Sequence, residues 1–164
     1  MVEKHFFALF VLVLGLSVSA ALAADSANLT GSLEAFRVVA NDEGVEDFLP
    51  AENARPNDVI EYRLTYKNTG EEPIQNIFIM DPVPAGMSFV YPSATRPTMG
   101  RVEFSIDGGK TYQGWPILVK QTTSDGVEEL VEATPEMVTN VRWVLTDTFQ
   151  PSEEVTVSYR TVIK

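Results

Sequence analysis

Cysteine is absent from this sequence of 164 residues, and histidine occurs once, at His5. Without cysteine the chain forms no disulfide and offers no thiolate for nucleophilic or redox chemistry. Because His5 lies in the N-terminal segment that is predicted below to be a cleaved signal peptide, the mature chain lacks the imidazole on which serine triads and most zinc or copper sites depend. The remaining repertoire is carboxylates, hydroxyls and amines, and we predict a protein that is not an enzyme and uses no cofactor.

Basic residues are scarce, since 12 Lys and Arg stand against 23 Asp and Glu and the net charge is −11. Nucleic acids and anionic membrane surfaces attract proteins through Lys and Arg, so neither is an expected partner. The acids are explained most simply as the solvated faces of strands and loops.

Two functions for the acids are alternatives to that explanation. Carboxylate oxygens suit Ca²⁺, but the EF-hand spacing is absent, so the acidic cluster near the start of the chain supplies only weak calcium candidates: Asp42, Glu43, Glu46 and Asp47. Two acids about 5 to 10 Å apart can also hydrolyse a glycosidic bond. The aspartates that would do so all lie in turn sequences that explain them without catalysis, namely Asp81, Asp107, Asp125 and Asp147.

Long hydrophobic runs are missing except at the N-terminus. Lys4 and His5 precede an uncharged run from Phe6 to Ser19, and Ala21-Leu22-Ala23 has the small-x-small pattern of a cleavage site. The run is shorter than the roughly 20 residues of a spanning helix, although a retained single-span anchor is the alternative. We predict a signal peptide at 1–23 and export to the periplasm, the cell surface or the extracellular medium. We expect no stable membrane insertion after cleavage.

After the signal peptide we expect one domain, because the remaining length suits a single core. Residues 24–31 are small and polar without periodicity and are predicted to be a flexible leader, so that the domain spans 32–164. A first strand is expected at 33–40, and the acidic, proline-containing stretch 41–56 is expected to be a loop.

The stretch from 58 to 90 carries the clearest strand pattern. Apolar and polar side chains alternate from Ile60 to Lys67, which indicates a strand with one buried face. Turn-forming residues at 68–73 and a second β-rich run from Ile74 predict a β-hairpin. The prolines that follow Asp81 then end the second strand.

Further strand signals continue to the end of the chain. They predict strands at 102–106 and 111–115 joined by a turn at Asp107, a less regular hairpin at 116–133, and strong strands at 141–146 and 155–160. No long segment has helical period. Seven to nine short strands predict an all-β antiparallel sandwich with Greek-key connections, a small closed barrel being the competing fold. Trp143 is expected to span the two sheets and to need a buried acceptor for its indole N–H.

Three segments in this order resemble a known family. They are ARPNDVIEYRLTYKNTG at 54–70, NIFIMDPVPAGMSFV at 76–90 and VRWVLTDTFQPSEEVTVSYR at 141–160. They are similar to the "conserved repeat" domain of unknown function, number eleven in its naming series, which occurs in bacterial and archaeal surface and secreted proteins. The resemblance covers nearly all of the predicted mature chain and implies an immunoglobulin-like sandwich. It brings no catalytic residues.

The family's shared positions are turn and core positions. Together with two turn glycines and the core tryptophan, they form an expected structural signature: Tyr62, Asn68, Gly70, Asp81, Pro84, Gly86 and Trp143. This chain departs from the family's Pro-Gly-Asp at Pro56-Asn57-Asp58 and from its later Pro-Gly at Pro151-Ser152. It also holds one copy, whereas the family usually occurs as tandem repeats, so the resemblance does not extend to a long stalk.

These observations predict an exported, non-enzymatic structural or interaction module of the cell envelope or surface. Its partner would be an envelope protein, a polysaccharide or a second copy. One alternative is a subunit of a surface fibre or layer that assembles by strand addition through the leader at 24–31. Another is a carbohydrate-binding module that uses the flat apolar faces of Tyr91, Tyr112 and Trp115, unless these rings pack into the sandwich.

Overall fold

A computed structural model describes residues 29–98 and 100–164. The predicted signal peptide and residues 24–28 of the predicted leader lie outside this part of the chain. The described residues form ten strands and two 3₁₀ turns, Ala51–Asn53 and Pro135–Met137. The strands are β1 (Leu29–Ala40), β2 (Glu46–Pro50), β3 (Val59–Asn68), β4 (Phe78–Pro82), β5 (Met87–Phe89), β6 (Gly100–Ser105), β7 (Leu118–Thr122), β8 (Glu128–Glu132), β9 (Asn140–Leu145) and β10 (Glu154–Ile163).

Every strand pairing is antiparallel, so the all-β antiparallel fold is confirmed with one strand more than the upper expected number. A five-stranded sheet has the order β2-β1-β3-β10-β5 and a three-stranded sheet the order β4-β9-β6. Strands β7 and β8 form a separate ribbon. In the described part of the chain, no helix has the length and apolar character needed to cross a membrane.

The core lies between the two larger sheets and explains why they stack as a sandwich. The five-stranded sheet contributes Leu64, Phe89 and Tyr159 to one buried cluster, and the three-stranded sheet contributes Phe104 and Trp143. Period-two alternation in β3, β9 and β10 places these side chains on the facing sides. The indole N–H of the fully buried Trp143 donates to the carbonyl of Thr95 at 2.9 Å, which confirms the expected buried acceptor.

The predicted hairpin at 58–90 is wrong. Strand β3 pairs with β1 and β10, whereas β4 pairs with β9 in the other sheet. The turn-rich residues between them therefore carry the chain from one sheet to the other. The fully buried Asn68 accounts for this path, because its side-chain amide donates to the carbonyls of Glu72 at 2.8 Å and Phe149 at 3.1 Å. The bond to Phe149 ties the turn to a segment far along the chain, so the chain does not reverse within the same sheet.

The structure also corrects two expectations near the start of the described residues. Leu29–Gly31 were expected in the leader but lie in β1, where Leu29 pairs with Asn68. The backbone of β3 supplies hydrogen-bond partners to these residues. Their weak β-propensity gave no indication of this pairing. The expected loop at 41–56 contains β2, which forms a hairpin with β1. Asn41 closes that hairpin by accepting the N–H groups of Glu43 and Val45 through its side chain.

The turn at Asp107 is confirmed, but the strands beside it pair differently from the prediction. Its carboxylate accepts the N–H groups of Lys110 and Thr111 and the hydroxyl of Thr111, and these bonds hold its pKa well below the usual range. Across the turn Phe104 and Gln113 form an isolated bridge, and β6 pairs along its whole length with β9 on its other edge. The later hairpin is confirmed as β7–β8.

Charged residues on the outer face of β3 are covered by other side chains. The guanidinium of Arg63 lies 4.6 Å from the ring centre of Phe36 and 4.3 Å from that of Phe48. Glu61 accepts from Arg63 at 2.7 Å and from Arg160 at 2.8 Å and is nearly buried. The outer face of the five-stranded sheet is therefore closed by cation–π and ion-pair contacts, not left as a solvated charged face.

Candidate functional site

The signature residue Asp81 belongs to a buried network at one end of the sandwich. Its carboxylate accepts the hydroxyl of Tyr159 at 2.7 Å, and that hydroxyl also lies 3.1 Å from the carbonyl of Pro82. Tyr159 stacks on Tyr62 with ring centres 5.3 Å apart, and the Tyr62 hydroxyl contacts the sulfur of Met87. Burial raises the pKa of Asp81, and burial followed by the nearby Asp81 charge raises the pKa of Tyr159. The network fastens β4 to β10.

Substitution of Asp81 by asparagine tests this assignment through pH. An acid whose pKa is raised by folding contributes stability that is present below its unfolded pKa and lost as pH rises through its folded pKa. The asparagine amide would keep an acceptor for Tyr159 without burying a charge. We expect Asp81→Asn to gain stability relative to the unsubstituted chain at about pH 7, and the gain to shrink toward about pH 4. Urea unfolding at both pH values measures it, and a gain that grows on acidification contradicts the assignment.

The signature residues outside the core hold turns. The side-chain oxygen of Asn68 accepts the N–H of Gly70 at 3.0 Å, and the carbonyl of Pro84 accepts the N–H of Met87 at 3.1 Å. Gly86 has a φ of +80°, which a residue with a side chain rarely adopts, and its carbonyl accepts the N–H of Lys164. These positions maintain the framework, and a binding site has to be sought elsewhere.

The four calcium candidates are not brought together. Glu46 binds the guanidinium of Arg160 through both carboxylate oxygens, at 2.8 and 2.6 Å, and its pKa is lowered chiefly by that bond. Asp47 points to the opposite face of β2, because neighbouring strand residues alternate. Asp42 and Glu43 lie in the exposed turn that follows β1. Within 29–98 and 100–164, no three Asp, Glu, His or Cys side chains are placed to hold a metal ion.

Two of the three aromatic sugar-binding candidates meet. Tyr91 and Trp115 stack with ring centres 4.8 Å apart and an interplanar angle of 27°. Trp115 also stands edge-on to the core residue Phe104, with ring centres 6.1 Å apart. Tyr112 lies apart from this pair, 4.0 Å below the guanidinium of Arg142. Trp115 therefore links the core to the surface, and Tyr91 is the outermost ring of the stack.

The stacked pair lines an open cleft of about 320 Å³. This volume is at the lower end of the range that small-molecule sites occupy. Its other walls include Arg96, Pro97, Arg101 and Gly114. A second cleft, of about 430 Å³, shares Arg96 and Pro97 with the first and is lined on its far side by Asp147 and Glu153, among others. Arg96 thus stands where the two clefts adjoin.

The two arginines of the cleft differ in their partners. Arg96 is exposed and makes no ion pair with any residue in the described ranges. Arg101 bonds to Glu103 through Nε at 2.7 Å, but more than half of its side chain remains exposed. Glu103 is nearly buried and is shared with Arg142. A guanidinium binds carboxylate, sulfate or phosphate oxygens in pairs, so Arg96 is free to hold an anion.

The loop that carries Arg96 is fixed at the preceding residue. Thr95 donates its N–H to the carbonyl of Ser158 at 2.8 Å and shares a 2.7 Å hydroxyl contact with the Ser158 side chain. Its carbonyl is the acceptor of Trp143. Our sequence reasoning placed 92–100 in a loop but did not single out Arg96. The available signal was that Arg96 is the one charged residue in that loop.

A scan of protein-family models finds no match to this chain, and searches of curated proteins and of solved structures find no significant match either. The resemblance to the conserved repeat domain, and with it the immunoglobulin-like classification, therefore stays a prediction.

Proposed function

We propose that this chain is an exported, non-enzymatic interaction module of the cell envelope or surface, and that its ligand is an anionic polysaccharide held in the two adjoining clefts. The observation that carries the proposal is the Tyr91–Trp115 stack in the same cleft as Arg96, which has no ion pair among the described residues. An exposed aromatic face and an available guanidinium in one cleft match a sugar ring that carries an acidic group.

Tyr91 is the ring that a sugar would contact. One face of Trp115 is already covered by Tyr91, and Trp115 is also packed against Phe104. Tyr91 is more than a third exposed, so its outer face is accessible. Aromatic rings offer a flat apolar surface to the apolar side of a sugar ring. Trp115 supports the platform, and Tyr91 supplies its surface.

Charge favours an anionic ligand at Arg96. The whole chain carries a net charge of −11, so a polyanion is repelled from most of its surface. Arg96 binds an anion without first breaking an ion pair, whereas Arg101 has to share its charge with Glu103. Arg96 is therefore expected to contribute most of the electrostatic attraction in the cleft.

The two clefts together favour a polymer over a single sugar. They adjoin at Arg96 and Pro97 and have volumes of about 320 and 430 Å³. The second cleft offers the carboxylates of Asp147 and Glu153. These accept hydrogen bonds from sugar hydroxyls but repel a second anionic group. A chain of sugars with its acidic group at Arg96 and hydroxyls beyond it fits this arrangement.

The proposal predicts that Arg96→Ala weakens the binding of a polyuronate by about 10- to 100-fold, since hydrogen bonds to charged groups contribute about 1.5 to 3 kcal/mol. Calorimetry with polygalacturonate measures the change. Arg55→Ala is the matched control, because Arg55 is an exposed arginine outside both clefts and the variant removes the same charge. Uncharged dextran is the comparison ligand.

The expected pattern is binding of the polyuronate by the unsubstituted chain and by Arg55→Ala, reduced binding by Arg96→Ala, and weak binding of dextran by all three. Tyr91→Phe should retain most of the affinity and Tyr91→Ala should lose it, because the ring and not the hydroxyl forms the platform. Equal affinities of the two arginine variants, or absence of polyuronate binding by the unsubstituted chain, would refute the proposal.

A further inference from the structure

Strands β1 and β2 extend beyond the core, and we name these two strands the overhang. The buried core contains residues of the other sheet strands but none of the residues of β1 or β2. The three-stranded sheet has two strands fewer than the sheet it covers. Within 29–98 and 100–164, the side of the overhang that faces the same way as the core is therefore left without a second layer.

That side of the overhang is apolar. Leu33 pairs with the core residue Leu64 and so shares its face, and alternation places further residues of β1 there. Pairing of Arg37 with Leu49 puts Leu49 on the same side of β2. Four large apolar side chains on this face are more than a third exposed: Leu29, Leu33, Val39 and Leu49. They lie around Arg37, which shares this face, and exposed apolar patches rimmed by polar residues mark interaction sites.

The opposite side of the same two strands is held by contacts within the chain. There Phe36 and Phe48 hold the guanidinium of Arg63 between them, and Glu46 is paired with Arg160. Phe48 itself remains 38% exposed, so the cover on this side is partial. On the core-facing side, the exposed leucines Leu33 and Leu49 have no comparable cover among the described residues.

Two charges on the uncovered face are suited to each other across a symmetry axis. Arg37 reaches Asp58 only at 3.8 Å, and its Nε is buried without a hydrogen-bond acceptor among the described residues. Asp47 pairs with Val39 in the hairpin, so it lies on the same face, and it has no ion pair within the described part of the chain. In a two-fold interface, Arg37 of each copy can meet Asp47 of the other.

We propose that the overhang forms the interface of a two-fold symmetric dimer of this chain, in which the overhang of each copy covers the apolar face of the other. Each copy supplies β1 along its whole length and β2 beside Phe36–Ala40. This inference is independent of the proposed polysaccharide binding. Of the predicted leader, Leu29–Gly31 are already paired with β3 in the same chain.

The size of the overhang sets the strength of the dimer. Twelve residues of β1 and five of β2, at about 3.4 Å each in strands about 4.8 Å wide, present roughly 280 Å² per copy. The total of roughly 560 Å² is less than half of the 1,200–2,000 Å² of a standard stable interface. The dimer is therefore expected to be in concentration-dependent exchange with the monomer. Two clefts in one dimer would increase the avidity for a polymer.

Sedimentation equilibrium over about 10 μM to 1 mM tests the proposal. The average mass of the unsubstituted chain should rise from one copy toward two and stop there. Leu33→Glu with Leu49→Glu should raise the dissociation constant at least tenfold. Leu130→Glu is the matched control, because Leu130 is 64% exposed on the separate β7–β8 ribbon, compared with 55% for Leu33. Circular dichroism establishes that each variant is folded.

A mixing experiment tests the symmetry of the contacts. Arg37→Asp alone places two acids opposite each other at both contacts, and Asp47→Arg alone places two bases opposite each other. A mixture of the two variants restores opposite charges at both contacts, so it should dimerise more tightly than either variant alone. A constant mass of one copy, growth beyond two copies, dimerisation by the double leucine variant, or no recovery on mixing would overturn the proposal.

Discussion

Trp143→Ala is expected to lower the free energy of unfolding by about 3 to 5 kcal/mol, which is the usual effect of truncating a fully buried tryptophan. Trp143 lies in the middle of β9 and packs between the sheets near Tyr159, with ring centres 6.0 Å apart. The substitution removes this packing and leaves the carbonyl of Thr95 without its indole donor. Urea unfolding followed by circular dichroism measures the loss.

Trp143→Phe separates the contribution of core packing from that of the indole hydrogen bond. It keeps an aromatic ring in the core but no N–H, so it should cost less than the alanine variant. Because Thr95 anchors the loop of Arg96, this variant should also weaken binding of the polyuronate if that binding is present. A loss below about 1 kcal/mol for Trp143→Ala would contradict the central position of the side chain in the core.

Asn68→Ala is expected to cost about 3 kcal/mol, although the substitution removes only a small polar group. The side chain makes two donor bonds and one acceptor bond, to Glu72, Phe149 and Gly70. Each buried partner left unsatisfied costs about 1 to 3 kcal/mol, partly offset by water that reaches the more exposed ones. Thermal or urea unfolding gives the difference in stability.

Asn53→Ala provides the comparison for this variant. Asn53 is exposed in the 3₁₀ turn after β2, and its replacement should change the stability by less than about 0.5 kcal/mol. Equal effects at the two asparagines would show that the buried bonds of Asn68 do not direct the crossover. A large effect at Asn68 alone supports its role in taking the chain from one sheet to the other.

The sequence predicted strands most successfully where apolar and polar residues alternate along the strand. Strands β9 and β10 show clear alternation, interrupted in β9 by the buried Val144, and lie inside their sheets with a neighbour on each side. The hairpin assigned to β3 and β4 was wrong because turn residues indicate that a chain turns but not toward which sheet. That direction depends on Phe149, which is 81 residues from Asn68. Strand β2 was missed because its pairing with β1, and not its acidic, proline-flanked sequence, makes it a strand.

The candidate site was predictable only in part. Tyr91 and Trp115 were recognisable as aromatic residues in irregular segments, but nothing local to either shows that they stack. Tyr112 belongs to the same class of residue, yet the structure places it against Arg142. Asp42 and its acidic neighbours looked like a cluster in the sequence, but strand alternation and the pairing of Glu46 with Arg160 separate them.

The position of β10 has a consequence for folding kinetics. This strand pairs with both β3 and β5, and its pairing with β3 joins residues as far apart as Val59 and Val162, which are separated by 103 positions. Such distant contacts require large loops to close before any stabilisation is gained, and they slow folding. The five-stranded sheet cannot be completed until β10 has joined it. A chain emerging from a ribosome would thus stay uncommitted to its final topology until β10 had been released.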